Sequence, residues 1–571
     1  MRLPSISTRQ RVRLCGRNHW RGLDLMSEAG SAIAAADQQN EFDSGPPYVM
    51  DSYLGGKDIP SSTGAYVHTV SMRAVLDDTN AALRLKRDLD AGALPLSAAG
   101  TAVTGSCAVA DEADVDHALE AAAAAAPQWA RVPLDTRLAI GAAIAEELRR
   151  HTEQLTALLV SEGQPTSLAR LLISSISEVT FSAESLRWCG DQMRFDSEWH
   201  GHRRTLRRVP DGVVCINPPQ NSPMANAMFG ITAMLAGNAV VVRAPRGVPL
   251  AVMYAMRRVV APVLERFQAP PGTLNALCGP PMMGQWLDSP LVDSIVFIGG
   301  SDKGLALERE CVSRGKKPIL ELAGNDCSVV WRDADLDAAL ASSIEFFTQS
   351  GQICNLPNQL IVHPTIATEF LERLAEAVRN IRPGYPDDPA VVLTPVLQSD
   401  NYFHYLSDAL SRGATLLAGG RRVDVDGAPS GTGLFLEPAI LRVDGLEAAK
   451  ACLAVQNETF IPLLPVVVPD ANRTDDQMLD EVLEFVNSNK YGLRNSLWAR
   501  SEVVTARFIE SVTTCGQLKI NSPHSGFVPL LPTHGGTGWT GGAFGEANYL
   551  MLRTTRLQGV DHVPALSHQE S

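Results

Sequence analysis

The spacing of apolar residues changes near the middle of the chain. From residue 112 to residue 160 apolar residues recur every three to four positions, which predicts amphipathic helices, interrupted at Pro127 and Pro133. From about Arg208 onward, short β-branched runs such as Val213–Ile216 alternate with helical segments. Strand–helix–strand units of this length predict parallel sheets with right-handed crossovers. Such sheets bind ligands at the carboxyl ends of their strands.

Composition narrows the class of protein. The 571 residues are too many for one compact core and favour two or three domains. Apolar residues make up 45% and charged residues 20%, as in ordinary globular proteins. The net charge of −14 argues against nucleic acid or an anionic membrane as the main partner. No apolar run is long enough to span a bilayer.

The cysteines indicate a reducing compartment. All ten are scattered singly, with no Cys-x-x-Cys pair, so neither a zinc ribbon nor a thioredoxin-type site is expected and no metal is predicted. A large chain with lone cysteines is typical of a cytoplasmic enzyme. The first acid, Asp24, follows six arginines. We interpret this start as a disordered arm or as upstream of a true start at Met26, in preference to a transit peptide.

Three short segments carry residues suited to catalysis. They are Pro219-Gln220-Asn221-Ser222-Pro223, Leu320-Glu321-Leu322-Ala323-Gly324-Asn325 and Ser350-Gly351-Gln352-Ile353-Cys354-Asn355. Their order and spacing resemble those of the aldehyde dehydrogenase superfamily, and the resemblance extends from about residue 103 to residue 546. It implies an NAD(P)-dependent enzyme that oxidises an aldehyde to a carboxylic acid.

The resemblance assigns three catalytic residues. Cys354 is the expected nucleophile, whose thiolate attacks the aldehyde carbon to give a thiohemiacetal and then a thioester. Asn221, with the backbone N–H of Cys354, is the expected donor to the developing oxyanion. Glu321 is the expected base that activates water for hydrolysis. Acylating relatives typically lack this glutamate, so its presence favours a free acid as product.

The same resemblance points to a nucleotide site. Gly299, Gly300 and Ser301 follow the predicted strand 294–298 and open a helix, where small residues and a helix N-terminus suit a pyrophosphate. Glu458 matches the family's carboxylate for the nicotinamide ribose, and Phe460 matches the ring that packs near it.

The choice between NAD and NADP depends on two arginines. Arg243 stands where the family usually has a lysine for the adenosine ribose. Arg246 stands where NAD-preferring members often have a glutamate that accepts the ribose hydroxyls. A second cation at this place suits a 2′-phosphate, so the sequence favours NADP over NAD, unless Arg246 points to solvent.

The chain also departs from the family pattern. Gln220 and Ser222 replace a tryptophan and a phenylalanine beside Asn221, Gln359 replaces an arginine, and Ile461 replaces a glycine. These changes leave two alternatives open, an acylating enzyme and a catalytically silent nucleotide-binding homologue. A further hypothesis places Arg494, Asn495 and Trp498 near the substrate entrance, where a cation would suit an acidic aldehyde.

The resemblance also implies an architecture. We expect an α/β fold of the aldehyde dehydrogenase type, with two parallel-sheet α/β domains and a small β oligomerisation hairpin. The predicted boundaries are a disordered or loosely ordered extension over 1–60, a nucleotide-binding domain over 61–320 that includes part of the hairpin near 195–210, a catalytic domain over 321–530, and a C-terminal segment with the oligomerisation strand over 531–571. The expected partners are a small-molecule aldehyde and copies of the chain in a homodimer or homotetramer.

Overall fold

Two seven-stranded sheets organise the computed structural model, which describes residues 45–564. In the first sheet five neighbouring strands are parallel and two edge strands are antiparallel. Its strands, in spatial order, are Lys317–Glu321, Ser294–Ile298, Val213–Asn217, Ala239–Pro245, Leu274–Gly279, Ser52–Leu54 and Lys57–Ile59. The parallel strands are apolar and almost entirely buried, because helices cover both faces of such a sheet.

The second sheet is also mostly parallel, with one antiparallel edge strand. Its strands, in spatial order, are Thr415–Ala418, Ala439–Asp444, Leu463–Val468, Gln359–Val362, Cys327–Val330, Arg494–Trp498 and Gln517–Ile520. Each sheet has its own apolar core, as expected for two α/β domains.

Helices connect and cover the strands. Those before residue 321 are Met72–Asp77, Thr79–Asp90, Glu112–Trp129, Leu134–Arg150, Thr152–Ser161, Thr166–Ser175, Ala183–Met193, Pro223–Gly230, Thr232–Leu235, Leu250–Tyr254, Ala261–Arg266, Met283–Asp288 and Ser301–Ser313. Those after it are Leu336–Ile344, Pro364–Arg379, Ser399–Ser411, Leu446–Ala451, Leu453–Gln456, Asp475–Asn487, Glu502–Ser511 and Leu550–Arg553. Among the described residues, no helix is both long enough and apolar enough to cross a bilayer.

The remaining strands form small sheets. A three-stranded sheet joins Tyr48–Met50, Val103–Ala108 and Tyr66–Val70, and another joins Thr555–His562, His202–Pro210 and Arg194–Trp199. Two-stranded ribbons join Arg422–Val423 to Phe435–Leu436, Tyr491–Gly492 to Thr537–Gly538, and His534–Gly535 to Ala547–Asn548. The hairpin near 195–210 therefore pairs with the C-terminal strand.

The prediction of a disordered or loosely ordered extension over 1–60 is wrong for residues 45–60, which contain three strands. Ser52–Leu54 is a buried strand in which Tyr53 pairs with Ala276 of the first sheet. Gly55 and Gly56 have positive φ and turn the chain into the next strand. Strands of three residues are too short to show an alternating pattern, which is why the sequence pattern missed them. Residues 1–44 lie outside the described part of the chain.

The helix Glu112–Trp129 begins with a capping box and contains a proline in its last turn. Asp111 and Asp114 form a capping box that satisfies the first backbone N–H groups. The helix continues through Pro127 into its last turn, so the predicted interruption there is wrong. A proline so close to the end removes one backbone hydrogen bond and no more, whereas Val115, Leu119 and Ala122 bury one face of the helix.

Candidate active site

A cavity of about 590 Å³ is lined by residues that follow strands of the first sheet and residues that precede strands of the second. The carboxyl ends of first-sheet strands lead into it at Gly299 and Glu321, and the segments that enter second-sheet strands reach it at Cys354 and Glu458. The predicted catalytic residues Cys354, Glu321 and Asn221 all line this cavity. The fold thus brings together residues from three distant segments of the chain.

An unusual backbone presents Cys354. Gln349 and Ser350 have left-handed φ values of 53° and 55°, and Gly351 follows with a φ of 75°. Consecutive non-glycine residues in this region are costly and persist where the surrounding structure holds them. Here the Ser350 hydroxyl donates to the Thr394 carbonyl at 2.7 Å and accepts from the Thr394 N–H at 2.9 Å.

The Cys354 thiol is half-buried at the wall of the cavity. Burial, reinforced by the carboxyls of Glu458 and Asp326, raises its pKa to about 12. At neutral pH the resting side chain is therefore a neutral thiol. Gly324 packs tightly behind it, since a Cβ there would lie 2.2 Å from the Cys354 carbonyl oxygen.

Asn221 is held by its neighbours on both sides. Its side-chain Nδ2 donates to the Gln352 carbonyl at 2.9 Å, two residues before Cys354. Its backbone carbonyl accepts from Gln164 Nε2 at 3.0 Å and from Gln349 Nε2 at 2.7 Å. Because Nδ2 carries two hydrogens, one remains for a ligand in the cavity.

Glu321 lies at the end of the strand Lys317–Glu321 and is 4% exposed. Its Oε2 accepts from the Gly535 N–H at 2.5 Å, and its Oε1 accepts from Asn548 Nδ2. Burial raises its pKa to about 8, and the two hydrogen bonds partly offset that rise. A carboxyl with this pKa can take up and release a proton near neutral pH.

The residues predicted for the pyrophosphate lie at the first-sheet side of the cavity. Gly299 and Gly300 line it, and a Cβ on Gly300 would meet nothing within 4 Å. Ser301 is buried and begins the helix Ser301–Ser313, with a hydroxyl that has no hydrogen-bond partner among the described residues. Ser301 itself does not line the cavity.

The residues predicted for the nicotinamide half belong to the second domain and also line the cavity. Glu458 and Phe460 both line the cavity, and Phe460 has a φ of 56°. Glu458 Oε1 accepts from the Gly324 N–H at 3.1 Å, and burial raises its pKa to about 8. Between them, the buried Thr459 hydroxyl lacks a partner among the described residues. The unpaired hydroxyl of Thr459 and the open space beside Gly300 leave room and hydrogen-bonding capacity for a dinucleotide.

The two arginines behave differently. Arg243 is buried and does not line the cavity, because Nε donates to the carbonyls of Gly279 and Pro280 and Nη1 donates to Asn217 Oδ1 at 2.8 Å. Arg246, just beyond the strand Ala239–Pro245, is exposed and has no hydrogen bond or ion pair with any described residue. Of the two arginines, only Arg246 keeps all its guanidinium N–H groups free of bonds to described residues.

The hypothesis that Arg494, Asn495 and Trp498 border the substrate entrance is wrong. All three are buried within the second sheet, and none of them lines the cavity. The strand Arg494–Trp498 lies between two parallel neighbours, and all five of its residues are buried. Among the described residues that line the cavity there is no lysine or arginine, so the structure offers no support for an acidic aldehyde.

Sequence reasoning missed the residues that hold the catalytic groups. Gly535 and Asn548 fix Glu321 from more than two hundred positions away, and Gln164 and Gln349 fix Asn221. Gln349 stands next to the recognised Cys354 segment and could have been noticed as a polar residue there. Nothing in spacing or composition points to Gln164, Gly535 or Asn548.

Comparisons with known proteins agree with this site. The model of the aldehyde dehydrogenase family matches residues 96–558. The chain is 28% identical over 461 residues to a 3,6-anhydro-alpha-L-galactose dehydrogenase of Vibrio sp., which covers 78% of this chain and 91% of the relative. It is 30% identical over 404 residues to a probable succinate-semialdehyde dehydrogenase [NADP(+)] of Sinorhizobium fredii, which covers 68% of this chain and 76% of the relative.

A solved structure shares the fold. The NAD-dependent aldehyde dehydrogenase of Sinorhizobium meliloti superposes with a TM-score of 0.75 at 22% identity, covering 92% of this chain and 97% of that one. The fold expected from the sequence, with two parallel-sheet α/β domains, is confirmed. The family model covers most of the chain, and the resemblance seen in the motifs is confirmed with it. The chain belongs to the aldehyde dehydrogenase family.

Proposed function

We propose that this chain oxidises an aldehyde to a carboxylic acid with NAD(P), through a thioester on Cys354 that is hydrolysed with Glu321 as base. The observation that carries the proposal is the meeting of Cys354, Glu321 and Asn221 in one cavity that also reaches Gly300 and Glu458. Glu321, which acylating relatives typically lack, distinguishes this reaction from transfer of the acyl group to another thiol.

The first half of the reaction forms a bond to sulfur. The Cys354 thiol gives its proton to water in the cavity, and the thiolate attacks the aldehyde carbon while the carbonyl electrons move to oxygen. Asn221 Nδ2, fixed against the Gln352 carbonyl at 2.9 Å, donates to that oxygen and stabilises its charge. When bound, oxidised NAD(P) accepts two electrons and the hydrogen of the aldehyde carbon, and its positive nicotinamide favours a nearby thiolate.

The second half breaks the bond to sulfur. Glu321 removes a proton from water, whose oxygen attacks the thioester carbon. The carbon–sulfur bond then breaks, the acid leaves and Cys354 regains its thiolate. Because burial raises the pKa of Glu321 to about 8, the ionised base becomes more abundant as pH rises through that value. We therefore expect hydrolysis to accelerate between pH 7 and pH 9.

The cofactor is held by residues of both walls. Gly299 and Gly300 would contact the pyrophosphate, with Ser301 behind them at the start of the helix, and Glu458 and Phe460 would contact the nicotinamide half. We propose a preference for NADP, because Arg246 lies two positions before Val248 of the cavity wall and its guanidinium is unpaired among the described residues. The relatives are named for either cofactor, so the preference depends on Arg246 itself.

We also propose a homo-oligomeric enzyme of the cytoplasm. The nine described cysteines are all free, which suits a reducing compartment. The three-stranded sheet of Arg194–Trp199, His202–Pro210 and Thr555–His562 leaves apolar side chains in solvent, including Phe195 and Leu557, each 62% exposed. An apolar sheet face of this kind suits burial against a second copy.

The direct test is reduced-cofactor absorbance with a panel of aldehydes, with NAD and NADP in parallel. Wild type should turn over, and Cys354→Ala should reduce no cofactor. Glu321→Gln should release one equivalent of reduced cofactor per site in a rapid burst and then stall, because the thioester forms but is not hydrolysed. Equal steady-state turnover in wild type and Glu321→Gln would contradict the role of the base, and a product that requires coenzyme A would favour an acylating enzyme.

A further inference from the structure

Arg494 ties together both ends of a loop. Its guanidinium is buried, with Nη1 donating to the His524 carbonyl at 2.7 Å and Nη2 donating to the Thr533 carbonyl at 3.3 Å. Between these carbonyls, residues 524–533 contain no helix or strand. A single side chain thus fixes the distance between the beginning and the end of this loop, which we call the 524–533 loop.

The end of the 524–533 loop leads directly into the active site. His534 follows Thr533, and its ring stacks on Phe229 with centroids 4.0 Å apart. His534 Nε2 also lies 3.0 Å from the side-chain oxygen of Asn226, which lines the cavity. The next residue, Gly535, donates its N–H to Glu321. The hydrogen bond that orients the base therefore lies two residues from an Arg494 contact.

The beginning of the loop is anchored independently. Lys519 Nζ donates to the Gly526 carbonyl at 2.7 Å, and Ser525 donates to Glu345 through both its hydroxyl and its N–H. His524 Nδ1 lies 2.6 Å from the Ser496 hydroxyl. This end is a fixed point in the second domain, and Arg494 transmits its position to Thr533.

Arg494 belongs to a buried cluster that also contains Asp326 and His524. Asp326 Oδ1 accepts from the Arg494 backbone N–H at 3.2 Å, and Asp326 Oδ2 lies 3.3 Å from His524 Nε2. Asp326 is buried as well, so neither charge is screened by water. A guanidinium suits this place because its planar fork reaches two carbonyls at once, whereas a lysine ammonium reaches one at a time in most geometries.

We propose that Arg494 is a positioning residue for hydrolysis of the thioester: by clamping the 524–533 loop it sets the Gly535 N–H against the Glu321 carboxylate. This role rests on the proposed function, since it concerns the second half of that reaction. Arg494 makes no hydrogen bond to Cys354 and does not line the cavity, but its positive charge lowers the pKa of the Cys354 thiol. Arg494→Lys keeps that charge, so this variant separates positioning of the loop from an effect on the thiol.

The test compares the burst with the steady state in Arg494→Gln, Arg494→Lys and the control Arg500→Gln, which changes an exposed arginine of the same domain. In Arg494→Gln we expect a burst of about one reduced cofactor per site, because the thioester still forms. The steady-state rate should fall at least roughly 10-fold below that of wild type. Arg494→Lys should recover part of the rate, and Arg500→Gln should match wild type. Alkylation of Cys354 by iodoacetamide should proceed at the wild-type rate in Arg494→Lys and Arg500→Gln, and more slowly in Arg494→Gln, which loses the charge that lowers the pKa of the thiol.

Hydrogen–deuterium exchange supplies a second readout that needs no turnover. The amide of Gly535 should exchange faster in Arg494→Lys than in wild type, and the peptide around Leu463 should not change. Two results would overturn the proposal. One is a burst, a steady-state rate and an exchange rate that all equal those of wild type in both Arg494→Lys and Arg494→Gln. The other is a burst that falls as much as the steady-state rate does. If Arg494→Gln does not fold, Arg494→Lys decides. A wild type that reduces no cofactor with any aldehyde contradicts the proposed function itself, and this role falls with it.

Discussion

The backbone before Cys354 shows how much conformational cost the chain accepts to present one thiol. Gln349, Ser350 and Gly351 all have positive φ, and only the last is a glycine. Each left-handed non-glycine residue costs about 1–2 kcal/mol. The cost is offset by contacts of the same residues, since Gln349 binds the Asn221 carbonyl and Ser350 binds Thr394. Nucleophile and oxyanion donor are therefore held by one strained segment.

At Gly351 this strain can be tested by adding one methyl group. Gly351→Ala places a Cβ 2.5 Å from the Ile461 carbonyl oxygen in a residue with a φ of 75°. We expect about 3 kcal/mol of lost stability from backbone strain and steric overlap, with a fall in kcat because Cys354 is displaced. Denaturant unfolding and turnover measure the two effects.

Gly315 is a matched control for that substitution. Its φ is 70°, but a Cβ there would meet nothing within 4 Å. Gly315→Ala should therefore cost only about 1–2 kcal/mol of backbone strain and leave kcat unchanged. Equal destabilisation by the two alanines would show that the Ile461 contact yields freely.

What the sequence could predict at this scale follows from how residues are recognised. Cys354, Glu321 and Asn221 stand in short segments with a recognisable order, and they meet in the structure. Gly535 and Asn548 bind Glu321 although they lie 214 and 227 positions after it. A motif covers only a few neighbouring positions, so it cannot show such a contact. The sequence predicted Arg494 at the substrate entrance because arginine side chains are usually exposed. In the structure its buried guanidinium donates to two carbonyls of the 524–533 loop.

At the scale of elements, the ends of strands determine where the site lies. The apolar β-branched runs predicted parallel strands correctly, and in open parallel sheets ligands bind beyond their carboxyl ends. The patterns alone did not give the order of the strands in either sheet, because that order depends on packing of distant helices. The strands within 45–60 were missed because three residues are too few to show an alternating pattern.

Arg246 gives a prediction at the end of one strand. Arg246→Gln removes the exposed cation beyond Ala239–Pro245, so binding of a 2′-phosphate should weaken. We expect kcat/KM for NADP to fall roughly 10- to 100-fold, and kcat/KM for NAD to change less than threefold, which corresponds to the loss of about 1.5–3 kcal/mol from a charged hydrogen bond.

Arg309→Gln controls for the loss of a surface charge, since Arg309 is exposed on the helix Ser301–Ser313. It should leave the ratio of the two cofactors unchanged. An unchanged ratio in Arg246→Gln as well would mean that Arg246 points to solvent and that the preference for NADP has no basis.

For the whole molecule, the three-stranded sheet predicts self-association. Phe195 on the edge strand Arg194–Trp199 pairs with Leu206 on the central strand, and both are exposed on the same face as Leu557. Phe195→Ser with Leu557→Ser should shift the chain toward monomer in light scattering at micromolar concentration, because burial of these side chains drives association.

The opposite face of this sheet supplies the control. Glu198 belongs to the polar set of alternate residues on the strand Arg194–Trp199, so Glu198→Gln should leave the oligomer intact. If the double serine variant keeps the wild-type mass, the apolar face is not the site of association.

The pairing of Glu321 with Asn548 has a consequence for synthesis on the ribosome. The 227 positions between them take about 10–50 s to translate at ordinary rates. During that interval the first sheet can be complete while its terminal carboxyl has neither of its two donors. Glu321 is therefore held in place to act as a base only when the C-terminal segment docks, at the end of synthesis. Until then the nascent chain contains a folded first domain that cannot catalyse hydrolysis.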